Sequence, residues 1–308
     1  MIMCVRAILL ITLLCLGVKI LSILTAIFQA IAQAVTFLFP VSETGHSAVF
    51  HDFAGRYSNT CSELTGLVHI GIAIGIIIAF YKVFIKLIYE FFMGWSELFK
   101  KNLRVSESTN SRKFMYLTLI PYVLLPFYLI PIGEKGKIYS ILQSVSYDGN
   151  VLSEGICFII IAVLLLLSSF KLAKNEKGHP LGLPCAVIVS VLLFITFPVA
   201  GFSMTVIAIC IPILFGVNKK VAFRYFTALS VPMLIIFGIA EIIKCVTYVT
   251  IIEGVIAVVI AGAVSFLCAK LLLFVVSKNH LKYFSYYDFA IGGISVLAGI
   301  IELIMNRG

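Results

Sequence analysis

The stretch that decides the fold runs from Leu181 to Asn218 and reads LGLPCAVIVSVLLFITFPVAGFSMTVIAICIPILFGVN. It has no charged residue, and it is longer than the roughly 20 residues with which a helix crosses about 30 Å of hydrocarbon. Its centre, PVAGFS at residues 198–203, contains a proline and a glycine, which interrupt helices. Lys177 and Lys219 flank the two ends. We therefore predict a broken helix that enters the membrane and returns to the same side.

A second interrupted stretch lies near the N-terminus. The apolar run from Ile20 is broken at FPVSETGH, residues 39–46, and acidic residues follow it, so we expect this hairpin to enter from the opposite face. Two broken helices in corresponding halves indicate an inverted repeat with a polar site near the midplane. Irregular backbone at that depth requires protein or a water-filled cavity around it. We therefore predict that the two turns face one another and line a cavity.

The rest of the chain is typical of a membrane protein. Of 308 residues, 61% are hydrophobic and 12% are charged, whereas about 25% of a soluble domain is charged. Continuous Leu, Ile and Val runs favour helices over the alternation of a membrane β-barrel. The sequence predicts an all-α, multi-pass helical bundle with two re-entrant broken-helix hairpins. The uncharged blocks are Ile20–Ser42, Leu64–Tyr81, Phe114–Gly133, Gly155–Phe170, Leu181–Asn218, Tyr225–Ala240, Gly254–Ala269 and Phe289–Ile301.

The net charge of +9 follows from the loops. Basic residues concentrate in alternate loops, at residues 100–113, 171–177, 219–224 and 278–282, while the intervening loops are rich in acids. This bias predicts that the basic loops are cytoplasmic. A nucleic-acid partner is excluded by the lack of a basic stripe with interleaved aromatic residues.

We predict one membrane domain over residues 1–308, with a first helix at 1–25, a first repeat half at 26–153 and a second half at 154–308. Arg6 precedes an apolar run that resembles the core of a signal peptide. We favour a retained helix, because no small-residue cleavage site follows and Lys19 can extend to the interface.

The motif QAVTFLFPVSETGH, residues 33–46, resembles the first signature of the bacterial undecaprenyl-pyrophosphate phosphatases of the bacitracin-resistance type, E-G-L-T-E-F-L-P-(I/V)-S-S-(S/T)-G-H. VHIG at residues 68–71 resembles the L-H-L-G of that family, and GFSMT at 201–205 stands where the family has P-G-x-S-R-S-G. YYDFAIG at 286–292 is similar to its closing motif. The similarity covers most of the chain from about Phe28 onward.

This resemblance implies hydrolysis of undecaprenyl pyrophosphate to the monophosphate, which recycles the lipid carrier of cell-envelope synthesis. The expected partner is a polyprenyl (pyro)phosphate lipid, and the expected location is the bacterial cytoplasmic (inner) membrane. Calcium or magnesium is the expected cofactor to test, although we assign no residue as a metal ligand.

The chain departs from the family at charged positions. The paired glutamates of the family fall on Gln33 and Phe37, its second serine on Glu43 and its arginine on Met204. Pyrophosphate hydrolysis needs positive charge or a metal, and a placed nucleophile or base. Losing one such donor costs about a hundredfold to a thousandfold in rate. The sequence therefore leaves open a phosphatase with a rearranged site, a non-catalytic binder or translocator of the lipid, and a transporter of another solute.

Among the surviving polar residues, we predict His46 as nucleophile or general base, with Ser42 beside it. Glu43 could hold a metal ion or orient the histidine. The predicted substrate-binding residues are Gln33, Thr44, Gly45, Ser203 and Thr205. Hydrogen bonding to the interrupted backbone is the alternative role for Ser203 and Thr205. His69 is interpreted as an interhelical hydrogen-bonding residue, and Asp288 as an interfacial one.

Overall fold

A computed structural model of the protein describes residues 23–53, 62–99, 110–133, 136–146, 150–174, 178–244 and 249–305. The predicted first helix lies almost wholly outside them. The described chain is helical, with a short 3-10 helix at Leu125–Leu129 and no β-strand in these ranges. Its α-helices are α1 (Ile23–Leu38), α2 (Glu43–Phe53), α3 (Ser62–Ala79), α4 (Tyr81–Phe99), α5 (Asn110–Leu124), α6 (Ile138–Gln143), α7 (Leu152–Lys174), α8 (Leu183–Thr196), α9 (Met204–Leu214), α10 (Lys219–Ile243), α11 (Ile251–Ser277) and α12 (Leu281–Met305).

Four of these helices are long and apolar enough to cross a membrane within the described ranges: Leu152–Leu172, Lys219–Ile243, Ile251–Ser277 and Leu281–Met305. A bent pair, Glu63–Ala79 with Tyr81–Ser96, makes a fifth if it counts as one span. The prediction of an all-α integral membrane protein is confirmed. The inverted repeat and the division into halves stay predictions.

Small residues allow the helices to approach closely. Helix α3 packs against α10 and α11, and α7 against α12. A Cβ added at Gly66 of α3 would lie 2.4 Å from the carbonyl oxygen of Gly238 on α10. A Cβ at Gly155 of α7 would lie 2.7 Å from the amide nitrogen of Val296 on α12. Such contacts are the usual means of helix association in lipid, where apolar burial supplies no driving force.

The bend between α3 and α4 was not predicted. The apolar block Leu64–Tyr81 suggested one span, but the chain turns by 94° at Phe80. Lys270 lies inside α11, beyond the predicted end of its block at Ala269, and its Nζ donates to the Ala79 carbonyl. The same Nζ lies 4.7 Å from the Phe80 ring centroid. Lys270 therefore satisfies a carbonyl group that the end of α3 leaves unpaired.

Both predicted helix breaks are present, whereas entry and return on one side of the membrane stays a prediction. The first broken helix consists of α1 and α2 with a break at residues 39–42, and the second of α8 and α9 with a break at residues 197–203. Ser42 Oγ donates to the Phe202 carbonyl at 2.8 Å, and Thr205 Oγ1 donates to the Phe37 carbonyl at 2.6 Å. The prediction that the two turns face one another is therefore confirmed.

Candidate functional site

Ser42 and Thr205 hold the two breaks together. The Ser42 hydroxyl is fully buried, and its Oγ accepts the Gly45 amide at 2.9 Å while donating to Phe202. Thr205 is equally buried, and its hydroxyl donates to the carbonyl of Phe37. Neither side chain lines the cavity described below. The structure therefore places both in contacts that satisfy interrupted backbone, which was the alternative interpretation of Thr205.

Gly45 is the point at which the two turns touch. A Cβ added there would lie 2.7 Å from the Gly201 Cα and 2.8 Å from the Phe158 ring. Gly201 itself has a φ of +95°, a backbone conformation that residues with a side chain rarely adopt. Gly45, which the sequence predicted to bind substrate, is thus a packing position and does not line the cavity.

A cavity of about 170 Å³ lies where the two breaks meet helices α3, α6 and α10. Four predicted site residues line it, namely Gln33, Glu43, Thr44 and Ser203. The prediction of a polar cavity at the two turns is confirmed. No lysine or arginine occurs among the described residues that line it. Its further polar residues are Ser47, Thr65, His69, Tyr139, Gln143, Thr196 and Glu241.

Two helix N-termini begin at this cavity. Glu43 and Thr44 of the first turn of α2 line it, with Ser47 just after that turn, as do Ser203 and Met204 at the start of α9. Ser203 caps α9, with its Oγ accepting the Val206 amide at 3.4 Å. The first N–H groups of a helix lack intrahelical partners and carry partial positive charge, so they attract anions. The cavity therefore has positive dipole ends, although no lysine or arginine is among its described lining residues.

His69 lies between two carboxylates inside the cavity. Its Nε2 is 3.3 Å from Glu43 Oε1, and its Nδ1 is 4.0 Å from Glu241 Oε2. These side chains come from α2, α3 and α10. Within the described chain, His69 Nδ1 and Glu241 Oε2 are buried without a hydrogen-bond partner. Buried unpaired polar groups are costly, so their retention indicates a functional role.

Sequence reasoning missed two members of this group. Glu241 directly follows the apolar block Tyr225–Ala240 and was not singled out, and His69 was interpreted as an interhelical hydrogen-bonding residue, which its contact with Glu43 confirms, but not as a member of the site. The available signal was the ionisable side chain of His69 within an apolar helix, inside the VHIG motif. The partner could not be chosen, because Glu43 and Glu241 approach His69 only after α2 and α10 have packed.

His46 lies outside the cavity. Its Nδ1 pairs with the Ser42 carbonyl, and its Nε2 pairs with the Tyr287 hydroxyl at 2.8 Å. The His46 and Tyr287 rings are stacked, with centroids 5.7 Å apart, and the Phe158 ring meets His46 edge-on. Because Nδ1–H donates to a carbonyl, Nε2 accepts from Tyr287. Glu43 pairs with His69 and is not bonded to His46, so the catalytic role of His46 stays a prediction without geometric support.

The substituted positions have distinct surroundings. Phe37 is nearly buried at the edge of the cavity, with its ring centroid 6.4 Å from that of Phe226. The Oε1 of Gln33 is buried and has no hydrogen-bond partner in the described residues. Met204 lines the cavity beside Ser203. The cavity thus retains an amide but none of the charge that the family places at these three positions.

The donor set does not fit a resident metal ion. Among the described residues, no group of three or more His, Cys, Asp or Glu side chains could hold one. Calcium and magnesium prefer oxygen ligands, but the carboxylates of Glu43 and Glu241 lie on different sides of the His69 ring.

Asp288 is not interfacial, contrary to the prediction. It is fully buried in α12, and neither carboxylate oxygen has a hydrogen-bond partner in the part of the chain that the structure describes. On both sides of Asp288, α12 packs against α7. The Ser285 hydroxyl donates to the Ala162 carbonyl, and Gly292 lies beside Gly155. We have no physical account of why an acid is retained there.

Comparison with known proteins finds the same family that the sequence motifs resemble. The family model described as bacitracin resistance protein BacA matches residues 26–294. A protein of Korarchaeum cryptofilum named undecaprenyl-diphosphatase is 28% identical over 275 residues, which is 89% of this chain and 97% of that protein. Proteins with the same name from Methanosphaera stadtmanae and Halothermothrix orenii are each 26% identical, over 91% and 90% of this chain and 99% of their own lengths.

Proposed function

The chain belongs to the bacitracin resistance protein BacA family, and on that premise we propose that it hydrolyses undecaprenyl diphosphate to the monophosphate. The names of its relatives support this substrate. The reaction would return the lipid carrier to cell-envelope synthesis. We place it in the cytoplasmic (inner) membrane of a bacterium, because the chain is a multi-pass membrane protein and its substrate is a membrane lipid.

The observation that carries the proposal is the convergence of two helix N-termini on one polar cavity. Helix α2 begins at Glu43 and α9 at Met204, and the first turns of both line the cavity. Phosphate groups bind at helix N-termini through free backbone N–H groups and the helix dipole. In membrane proteins, half-helices that end at depth hold anionic substrate groups in this way. The two N-termini would replace part of the charge lost with the arginine of the family.

Hydroxyl groups complete the binding site for the diphosphate. Thr44 and Ser203 line the cavity from the two opposing turns, so they would donate to phosphate oxygens from both sides. The Thr44 hydroxyl, which is 3.3 Å from Ser42 Oγ, would rotate from that contact to the substrate. The cavity of about 170 Å³ would hold the polar head group, while the long isoprenoid chain would remain in the lipid. Ser42 and Thr205 would keep the two turns in register and would not contact the substrate.

The negative charge of the cavity would make a cation necessary for binding of the diphosphate. Glu43 and Glu241 would repel a diphosphate, and no lysine or arginine is found among the lining residues that the structure describes. Magnesium typically binds proteins through few carboxylates and retains contacts with substrate phosphates. We therefore propose that calcium or magnesium arrives bound to the diphosphate. Such an ion would neutralise charge on the phosphate oxygens.

The test is phosphate release from undecaprenyl diphosphate by the purified protein in detergent, with calcium, magnesium or EDTA. We expect release that requires a divalent cation. The variant Thr44→Val/Ser203→Ala should raise KM by about a hundredfold or more, because two hydrogen bonds to a charged group are lost. Thr118→Val, whose hydroxyl donates within α5 and does not line the cavity, is the matched control.

Two results would contradict the proposal. Wild-type protein that releases no phosphate but binds the lipid would be a non-catalytic carrier of polyprenyl phosphate. Wild-type protein that neither hydrolyses nor binds it would have another substrate.

A further inference from the structure

We propose that Glu43, His69 and Glu241 form the proton-transfer group of the cavity, in which Glu43 takes the proton of the attacking water, His69 positions Glu43, and Glu241 positions His69. This inference rests on the proposed diphosphate hydrolysis. It assigns to this chain a catalytic group that differs from the paired glutamates of the family, whose positions hold Gln33 and Phe37.

Glu43 is placed to meet both the substrate and a histidine. It is the first residue of α2, at the helix N-terminus that would bind the diphosphate, and it lines the cavity. Its Oε1 is 3.3 Å from His69 Nε2, and its second oxygen, Oε2, has no hydrogen bond to His69. A carboxylate that is held by one oxygen can accept a proton at the other.

His69 is fixed between the two acids. An imidazole ring carries its nitrogens on different edges, and here Nε2 faces Glu43 while Nδ1 faces Glu241 at 4.0 Å. A neutral ring that donates from Nε2 has an acceptor at Nδ1, which cannot pair with an ionised carboxylate. One additional proton, on His69 or on Glu241, makes this contact favourable. The three groups therefore share protons as one unit, with Glu43 and His69 in direct contact.

Other titratable or charged side chains stand near this group. Tyr139 of α6 lines the same cavity, and Lys244 follows the end of α10, with its Nζ 5.4 Å from the Tyr139 ring centroid. Neither is hydrogen-bonded to His69 in the described residues, so the two glutamates are its ionisable contacts.

The chemical step follows from this placement. The water oxygen forms a bond to the terminal phosphorus, and its proton passes to the free oxygen of Glu43. The bridging P–O bond breaks, and its electron pair stays on the lipid monophosphate. Inorganic phosphate is released, and Glu43 returns its proton to the products or to solvent. Water is the only co-reactant.

Single variants test the roles by kcat for undecaprenyl diphosphate. Glu43→Gln should lower kcat by about a hundredfold to ten-thousandfold, the range for loss of a general base. His69→Leu should lower it by about a hundredfold, the cost of misplacing a reacting group by about 1 Å. His69→Gln keeps an N–H near the position of Nε2, so it should recover most of that loss. Glu241→Gln should cost less than His69→Leu.

The double variant Glu43→Gln/His69→Leu distinguishes positioning from a merely structural role. If His69 acts through Glu43, the double variant should be no slower than Glu43→Gln alone, because effects of residues that act as a unit are not additive. If the kcat losses of the two single variants multiply in the double variant, the proposal is overturned. A His69→Gln variant with a kcat as low as that of His69→Leu would also overturn it.

Controls separate this proposal from the proposed function. His280→Leu removes a histidine that does not line the cavity, and it should retain wild-type kcat. Binding of the lipid and a monodisperse elution profile establish that each variant is folded. An inactive wild type would overturn both proposals, whereas an active wild type with unchanged Glu43→Gln and His69→Leu variants would overturn only this one.

Discussion

Helix α2 has two sides with different surroundings, and each side presents a residue that the sequence marked as catalytic. Glu43 faces the cavity and contacts His69. His46 faces α12, and its two ring nitrogens are paired with the Ser42 carbonyl of its own turn and with the Tyr287 hydroxyl of α12. A helix turns by about 100° per residue, so Glu43, Thr44 and Ser47 span an arc of about 100° on the cavity side. His46 lies about 60° beyond the edge of that arc, and its ring is stacked against Tyr287 of α12. A histidine in the motif is thus held by packing contacts, while the carboxylate three positions earlier lines the cavity, where we propose that it accepts a proton.

The two sides predict two kinds of defect. Changes on the cavity side should lower kcat in a folded protein. Changes on the packing side, formed by Ser42, Gly45, His46 and Tyr287, should lower thermal stability first. The following substitutions on the packing side test this distinction.

The largest effect is expected from Gly45→Val. Its side chain would collide with the Gly201 Cα and the Phe158 ring, each within 3 Å of the added Cβ. Because both breaks are fixed there, we expect a destabilisation of about 3 kcal/mol or more, seen as loss of monodisperse protein in size-exclusion chromatography. Gly293→Val on α12 is the matched control, because no atom lies within 4 Å of its added Cβ. A stable Gly45→Val protein would contradict the observed contact between the turns.

His46→Ala should be the next most severe change. It removes two hydrogen bonds and two ring contacts, so we expect a loss of about 2–4 kcal/mol, measured as thermal unfolding in detergent. At a temperature where the variant is folded, kcat should fall less than for His69→Leu. His280→Ala serves as the control. A folded His46→Ala protein with abolished hydrolysis would restore the catalytic role that the motif predicted.

The sequence could predict the broken helices because proline, glycine and uncharged length are local signals. We predicted that the two breaks meet because irregular backbone is costly in lipid. The hydrogen bonds of Ser42 and Thr205 between the breaks confirm this prediction. The sequence could not predict which side of α2 carries His46, because the packing of α12 against α2 determines which side is covered. The bend at Phe80 was missed for a similar reason, since its capping residue, Lys270, comes from a distant helix.

Charge patterns did not reveal the surroundings of two acids. Glu241 and Asp288 both looked like residues near a membrane surface, since each lies near the end of an apolar block. Helices α10 and α12 extend beyond those blocks, to Ile243 and back to Leu281; Glu241 lines the cavity and Asp288 is fully buried. An apolar block ends at its first charged residue, whereas a packed helix can continue past it.

Ser42→Ala should have a moderate effect on stability. The hydroxyl caps α2 at the Gly45 amide and joins the turns through Phe202, and its loss leaves a buried amide unpaired. We expect a cost of about 1–3 kcal/mol in thermal unfolding and little change in kcat of the folded protein. Ser295→Ala is a suitable control, because that buried hydroxyl has no partner in the described residues. A large loss of kcat without loss of stability would return Ser42 to the catalytic group.

The smallest effect is expected from Tyr287→Phe, which removes only the hydroxyl that donates to His46 Nε2 at 2.8 Å. The stacked ring remains, so the cost should be about 0.5–1.5 kcal/mol in thermal unfolding, with kcat nearly unchanged. Tyr286→Phe, at an exposed neighbouring position, should change neither quantity. If Tyr287→Phe instead lowered kcat as much as His69→Leu, the hydroxyl would be setting the protonation of a catalytic His46. The division of α2 into a cavity side and a packing side would then be wrong, because proton transfer would extend through the packed interface with α12.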